Sequence, residues 1–470
     1  MLHGKQRSVH FIGVGGIGMS GLAEILLNLG YRVYGSDLAP SEITDRLESL
    51  GLTFHEGHLA ANLGDADIVV VSAAVPESNP ELVEAHARGV PVMHRSELLA
   101  DIIRMKPHAV VVGGTHGKTT TTSMISAILD YANIGATSIV GGILQRRGTN
   151  ALWGTGEYVV AEADEHDGSF LRLHPTIAVV TNIDAEHLEY YGTIHQLQRA
   201  FVDFCNGVPF YGMAVLCGDD ANTMAMVPDL TTNYITYGFD VECGVRADAV
   251  RVVTFDGAES GGYATEFEVL CTDDRLGPAG ELGTVGIAAL GANNVRNALA
   301  ACAVGLALGI SFDAIATGIG EFGGVRRRMQ WCGTERDVTV IEDYAHHPTE
   351  IASTLDAVAQ LKPGRVVVVF QPHLYSRTKY LYKEFANVLS MVDEAIVTDI
   401  YGSREDPIPG VSAALIVEAA SRPLHFVRDM QSVPGFLIPR LHAGDVVLIL
   451  GAGNINKIAG PLLEALRGTP

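Results

Sequence analysis

Residues 110–124, VVVGGTHGKTTTTSM, decide how the rest of the chain is read. Val110, Val111 and Val112 are a short apolar run of the kind buried in a parallel sheet, glycines follow, and from Thr119 to Leu129 the pattern reads as helix. Strand, glycine loop and helix in that order make a phosphate cradle. Amides at the helix N-terminus point toward an anion, Lys118 adds a point charge, and the Thr119 hydroxyl can sit on a magnesium ion. The usual spacing, G-x-x-x-x-G-K-[ST], wants glycine where Val112 stands, so this loop is one residue short. The bland alternative is an ordinary helix start capped by Thr119. The coincidence of strand, paired glycines, lysine and hydroxyl weighs against it.

Around this loop, length and composition set bounds. A chain of 470 residues is too long for one ordinary core, and length alone predicts about three domains. Hydrophobic residues at 47% and charged residues at 18% describe an ordinary globular protein. A net charge of -22 with no lysine or arginine run to offset it argues against a nucleic-acid partner. The N-terminus, MLHGKQRSVHFIGVGG, has no sustained apolar core of a signal peptide. No stretch reaches the roughly 18 apolar residues of a membrane span. The expectation is a cytoplasmic protein without a membrane partner. Its six cysteines include no C-x-x-C pair, so they predict buried thiols rather than a zinc site or a disulfide framework.

Strand-like and helix-like segments alternate along the chain, which predicts an α/β fold with parallel sheets. Lys106-Pro107 and Gly323-Gly324 read as boundaries. They give domains 1–106, 107–325 and 326–470. Between about 240 and 285, around DGAESGGYATEFEVL, the pattern changes to short alternating strands with a glycine-rich turn, an antiparallel hairpin on the edge of the central sheet.

The first segment carries a second loop. VHFIGVGGIGMSGLAEILLNLGYRVYGSDL, residues 9–38, sets Gly13, Gly15 and Gly18 between a strand and a helix, with Asp37 ending the next strand. This is the dinucleotide fingerprint in its proper context, and the same loop suits any diphosphate, including that of a nucleotide sugar. Asp37 reads equally as a ribose ligand or a plain turn residue. In the central segment, YVVAEADEHDGSF ends a strand in Glu162, Asp164, Glu165 and Asp167, and IAVVTNIDAEHLEYYG ends another in Asn182, Asp184, Glu186 and His187. In a parallel sheet these ends share the carboxyl edge with the phosphate loop. One carboxylate, one threonine and phosphate oxygens suffice for magnesium, with His187 a further contact.

These residues carry a family resemblance. With GVGGIGMSGLAE, VVSAAVP, HRSELLA, GGTHGKTTTT, AEADEHDGSFL, VTNIDAEHLEYYG, GVRRRMQ, EDYAHHPTEI, FQPHLYSRT and GAGNI in order, nearly the whole chain resembles the Mur ligases. Within them it is most similar to the branch that joins L-alanine to UDP-N-acetylmuramate in peptidoglycan synthesis. The resemblance implies a three-domain fold: an N-terminal Rossmann-like UDP-binding domain, a central P-loop-type ATPase domain and a C-terminal Rossmann-like domain. The shortened phosphate loop is the family form. By resemblance Gly15, Gly16, Ile17 and Gly18 surround the UDP diphosphate, with Asp37, Ser72 and Arg95 nearby. ATP would be held by Gly114, Thr115, His116, Gly117, Lys118, Thr119 and Thr120, with Asn294 and Asn297 toward adenine and Arg328 on the terminal phosphate. Magnesium, with manganese able to replace it, would be held by Thr119, Glu162 and His187. Asp343, Tyr344, His346, His347, His373 and Arg377 would form the amino-acid site, His347 being a candidate base. Lys118, Glu162, His187, Arg328 and His347 are thus the expected catalytic set.

Read without that help, His346-His347 before Pro348 is also a plain helix start, and Arg377 a surface guanidinium. Three departures stand out. Asn293 replaces the usual histidine of Gly-x-His-Asn, His166 stands where serine is common, and Glu186 where aspartate is frequent. Some relatives use a carbamylated lysine after the metal histidine; residues 188–206 contain no lysine. The implied chemistry is phosphorylation of the lactyl carboxylate by ATP, then attack of the alanine amine on the acyl phosphate. Closure about hinges near 107 and 325 is expected in a monomer or homodimer. The rival readings are a ligase that recycles murein tripeptide onto the same UDP-sugar, a nucleotide-sugar dehydrogenase built on the first loop, and a nucleotide-sensing module.

Overall fold

The structure, a computed structural model, describes residues 7–145, 147–254, 263–403 and 405–468. Its strands fall into three sheets. The first contains β1 (Ser8–Ile12), β2 (Arg32–Asp37), β3 (Thr53–Glu56), β4 (Ile68–Val71) and β5 (Val92–His94) in the order β3-β2-β1-β4-β5, every neighbouring pair parallel. The order reverses between β1 and β4. That switch point is where open parallel sheets bind ligands, and the Gly13–Gly16 loop leaves β1 there.

The second sheet has ten strands: β6 (His108–Gly113), β7 (Thr137–Ile139), β8 (Ala151–Leu152), β9 (Tyr158–Glu162), β10 (Ile177–Val180), β11 (Met213–Cys217), β12 (Tyr234–Gly238), β13 (Val245–Thr254), β14 (Tyr263–Cys271) and β15 (Gly280–Ile287). They run β15-β14-β13-β12-β11-β10-β6-β9-β7-β8. β6 is parallel to both β10 and β9. Val110, Val111 and Val112 of β6 are completely buried, as a strand covered on both faces must be. The sequence expectation of short strands after residue 240 is corrected here, since β13, β14 and β15 have 10, 9 and 8 residues. They stand at one end of the sheet as expected. The glycine-rich turn, residues 255–262, lies outside the described residues.

The third sheet, β16 (Gln330–Glu335), β17 (Val338–Asp343), β18 (Arg365–Phe370), β19 (Glu394–Val397), β20 (His425–Phe426) and β21 (Asp445–Leu450), runs β16-β17-β21-β18-β19-β20. Only β16 is antiparallel to its neighbour. Strand alternation sorts its core into two layers. Val368, Phe370, Leu448 and Leu450 pack with Ile351 and Phe385 on one face, and Val367, Val369, Val447 and Ile449 pack with Ile458 and Leu462 on the other. Each such buried side chain contributes about 2 kcal/mol.

Packing divides the described residues into two compact units, Met1–Val250 with Phe267–Gly286 and Arg296–Gly323, and Arg251–Glu266 with Ile287–Val295 and Gly324–Pro470. Within the first unit, Leu22, Ala23 and Ile25 of the helix Ile17–Asn28 share a core cluster with Val159 and Ala161 of β9. Five cysteines are buried and Cys332 is half-buried; burial pushes the thiols of Cys205 and Cys302 up to about 12, which leaves them inert. No helix among the described residues is long and apolar enough to cross a membrane.

Candidate active site

In the first unit the phosphate loop joins β6 to the helix Lys118–Tyr131, one residue earlier than the sequence pattern suggested. Gly117 caps that helix in a left-handed conformation, φ 82°, and a Cβ there would stand 2.5 Å from Asn297 Oδ1, so only glycine fits. The loop is stapled to the end of β10. Thr115 N donates to Asn182 O and His116 N to Asn182 Oδ1, both at 2.9 Å, while Asp184 N donates to Thr115 Oγ1 at 2.8 Å. The Thr181 hydroxyl donates to His116 O at 2.6 Å. Asn182 and Asp184, considered among the acids and amides of the metal edge, therefore brace the loop.

Lys118 turns its ammonium back over this loop. Nζ donates to Gly114 O at 2.6 Å, Thr115 O at 3.0 Å and Glu165 Oε2 at 2.8 Å. Burial works against its charge, but Glu165, Glu162 and Asp164 outweigh that and hold its pKa above the ordinary lysine value. Thr119, the next residue, donates its hydroxyl to Glu162 Oε2 at 2.9 Å, and Gly141 N donates to the same oxygen at 2.8 Å. Thr120 is buried in the first turn of the helix. A hydroxyl and a carboxylate thus meet beside a half-buried ammonium, an all-oxygen donor set that fits magnesium. His187 sits in a left-handed conformation, φ 57°, with Nε2 3.9 Å from Glu165 Oε1. Asn297 receives the Thr121 hydroxyl at 3.2 Å. Asn294 belongs to the second unit and donates its side-chain amide to Leu290 O at 2.8 Å. Asn293 donates to Ser353 Oγ at 2.7 Å.

The other glycine loop is held as tightly. Gly15 N donates to Asp37 Oδ2 at 2.8 Å, so Asp37 braces the loop from within. Gly16 is the N-cap residue of the helix Ile17–Asn28, Arg95 lies against Gly18, and Ser72 follows β4, the neighbour of β1. The Arg95 guanidinium also pairs with Asp164 beyond the end of β9. That contact, the Asn150 amide on Ile17 O and the Thr149 hydroxyl on Glu24 connect the first sheet's domain with the phosphate-loop domain.

In the second unit a cationic and aromatic cluster forms beyond the end of β17. Asp343 is buried, accepting from Met329 N and Ala345 N at 2.7 Å each, and burial pushes its carboxyl above the usual range despite the Arg328 guanidinium and these amides. Arg327 and Arg328 lie 4.9 and 5.2 Å from the Tyr344 ring centroid, within cation–π reach. His347 is the N-cap of the helix Pro348–Ala359, its Nδ1 accepting from Thr349 N at 3.4 Å while Glu350 completes a capping box. The local reading of the histidine pair as a helix start is therefore correct in geometry. His346 directs Nδ1 to Tyr344 O at 3.0 Å, and its ring lies 5.8 Å from that of His373. Arg377, in the first turn of the helix Tyr375–Leu389, has a buried Nη1 with no hydrogen-bond partner among the described residues.

Three family models match in succession: "Mur ligase family, catalytic domain" over residues 8–107, "Mur ligase middle domain" over 112–305 and "Mur ligase, glutamate ligase domain" over 327–453. The chain belongs to the Mur ligase family. Among its relatives, the UDP-N-acetylmuramate–L-alanine ligase of Syntrophotalea carbinolica is 48% identical over 99% of both chains. The enzyme of the same name from Geotalea daltonii is 47% identical over the whole of both. Among solved structures, the UDP-N-acetylmuramate-alanine ligase of Thermotoga maritima superposes with a TM-score of 0.82 at 28% identity, covering 98% of this chain and 100% of its own. A murein peptide ligase of Psychrobacter arcticus shares the fold, with a TM-score of 0.73 at 24% identity over 99% of both chains.

Sequence reasoning missed how this Mur ligase holds its lysine. Glu165 was visible only as one acid in a row of four, and nothing in the spacing distinguished the one that turns inward. Its signal was weak: in AEADEHD it stands three residues from Glu162, at the mouth of the strand that pairs with β6.

Proposed function

We propose that this Mur ligase joins L-alanine to the lactyl carboxylate of UDP-N-acetylmuramate, driven by ATP, in the cytoplasmic assembly of peptidoglycan precursors. The observation that carries the reading is near-half identity along the entire length to relatives of that printed name. In this proposal residues 1–106 hold the UDP-sugar at the Gly15–Gly18 loop, 107–325 hold ATP at Lys118, and 326–470 receive alanine.

The residues of the chain position groups and neutralise charge; no protein nucleophile is needed. Amides of the Gly114–Gly117 loop and the Lys118 ammonium would take the ATP phosphates, displacing the ammonium from Glu165. Arg328 would meet the transferring phosphoryl group, whose negative charge spreads over its oxygens. Magnesium, or manganese in its place, supplies further charge neutralisation there, and Thr119, Glu162 and His187 are the residues that would hold it. The lactyl carboxylate oxygen attacks the terminal phosphorus and ADP leaves. The alanine amine, after losing its proton, attacks the acyl carbon, and phosphate leaves. The unpartnered Arg377 Nη1 suits the alanine carboxylate, because a guanidinium binds a fixed carboxylate better than an ammonium does.

The test is phosphate release by the purified chain with ATP, magnesium and UDP-N-acetylmuramate, with L-alanine, glycine, L-serine or murein tripeptide supplied separately and products weighed. Alanine-dependent release with the matching amide mass is expected. Release with tripeptide alone would replace this reading by the recycling reaction.

A further inference from the structure

Beside β1 and β2 the first domain contains a buried polar cluster that none of these roles uses. Glu81, the second residue of the helix Pro80–Arg88, is completely buried. Its Oε1 accepts from Asn62 Nδ2 at 2.6 Å, and its Oε2 accepts from the Ser36 hydroxyl at 2.6 Å. His58 Nδ1 and His10 Nε2 each lie 3.4 Å from Oε2. Burial pushes the carboxyl up, but these partners prevail and bring it down to about 2, so it is an anion. A buried anion survives only where its oxygens are bonded, and this one is bonded at the junction of β1, β2 and the segment after β3.

The junction is continuous with the glycine loop. Ser36, whose hydroxyl reaches Glu81, accepts at its carbonyl from Gly13 N at 2.8 Å and Val14 N at 2.9 Å. The next residue, Asp37, accepts from Gly15 N. His10, in the middle of β1 and three residues before Gly13, approaches the same carboxylate oxygen at 3.4 Å, so both strands that frame the loop face Glu81. Asn62 instead ties Glu81 to the other side, donating also to Gly57 O at 3.0 Å.

We infer that Glu81 is a positioning residue for the diphosphate of the UDP-sugar: through Ser36 it fixes the strand end that holds the amides of Gly13, Val14 and Gly15. The inference rests on the proposed placement of UDP-N-acetylmuramate at this loop. It predicts an effect confined to that ligand, because the ATP loop is braced separately, by Asn182 and Asp184.

The experiment is calorimetric titration of the full chain with UDP-N-acetylmuramate and, separately, with ATP and magnesium, in the wild type and in Ser36→Ala, Glu81→Gln and Asn62→Ala. The expected result is a loss of about tenfold in UDP-sugar affinity for Ser36→Ala and Glu81→Gln, with ATP affinity unchanged and Asn62→Ala close to wild type. If Glu81→Gln does not fold, Ser36→Ala alone carries the test. Wild-type UDP-sugar affinity in Ser36→Ala, an equal loss in Asn62→Ala, or a parallel loss of ATP affinity would overturn the inference and leave the cluster a structural support. A wild-type chain that binds ATP but not UDP-N-acetylmuramate would overturn the placement of the sugar itself.

Discussion

At Lys118 a half-buried ammonium is matched by the buried carboxylate of Glu165, so removing one charge strands the other. Lys118→Ala should lower kcat by at least about 100-fold and also destabilise the fold by about 3 kcal/mol. Lys118→Ala with Glu165→Gln should regain the stability but not the turnover, as melting curves and phosphate release would show. Recovery of both, or of neither, would place the pair outside this account. The lysine was legible because glycine, lysine and threonine had to coincide for a phosphate loop; its partner was not, because a row of acids does not say which one turns inward. The histidines illustrate the same limit. His347 caps its helix, with Nδ1 3.4 Å from Thr349 N. His346 directs Nδ1 to the Tyr344 carbonyl at 3.0 Å and also lies 3.2 Å from Glu350 Oε2. His347 stays the proposed base, as its place in the histidine pair suggested from sequence. His347→Asn should lower kcat/KM by about 100-fold, and His346→Asn by less, as phosphate release would show. The opposite order would move that role to His346.

At the scale of elements, strand, loop and helix around residue 113 were readable because each signal was local: an apolar run, glycines, then a helical pattern. Strand order was not readable. Nothing in the sequence of β6 says that β9 and β10 flank it, and the lengths of β13 to β15 were masked by alternating half-exposed residues that read as interruptions. The loop's glycine requirement is a prediction of this scale. Gly117→Ala must place a Cβ at φ 82° against Asn297, a strain of about 1–3 kcal/mol. It should raise KM for ATP and leave UDP-sugar affinity intact in a titration of each ligand. An unchanged ATP KM would mean that the loop adopts another conformation when nucleotide binds.

For the whole molecule, the resemblance read from motifs and the family matches agree that three Mur ligase domains follow one another along the chain. The sequence could give their succession because each motif is short and local. It could not give the contacts of Arg95 with Asp164 or Asn150 with Ile17, which join residues far apart in the chain. Residues of both compact units act on one substrate in this proposal, and closure about hinges near 107 and 325 is expected to accompany binding. Small-angle scattering should show a smaller radius of gyration with a nonhydrolysable ATP analogue and UDP-N-acetylmuramate together than with neither. Identical dimensions would contradict closure. The central claim, amide formation through an acyl phosphate, is tested most directly by following oxygen. With UDP-N-acetylmuramate carrying oxygen-18 in its lactyl carboxylate, turnover with ATP and L-alanine should move one labelled oxygen into the released phosphate, read by mass. Labelled substrate that yields the alanine amide with unlabelled phosphate would contradict the mechanism.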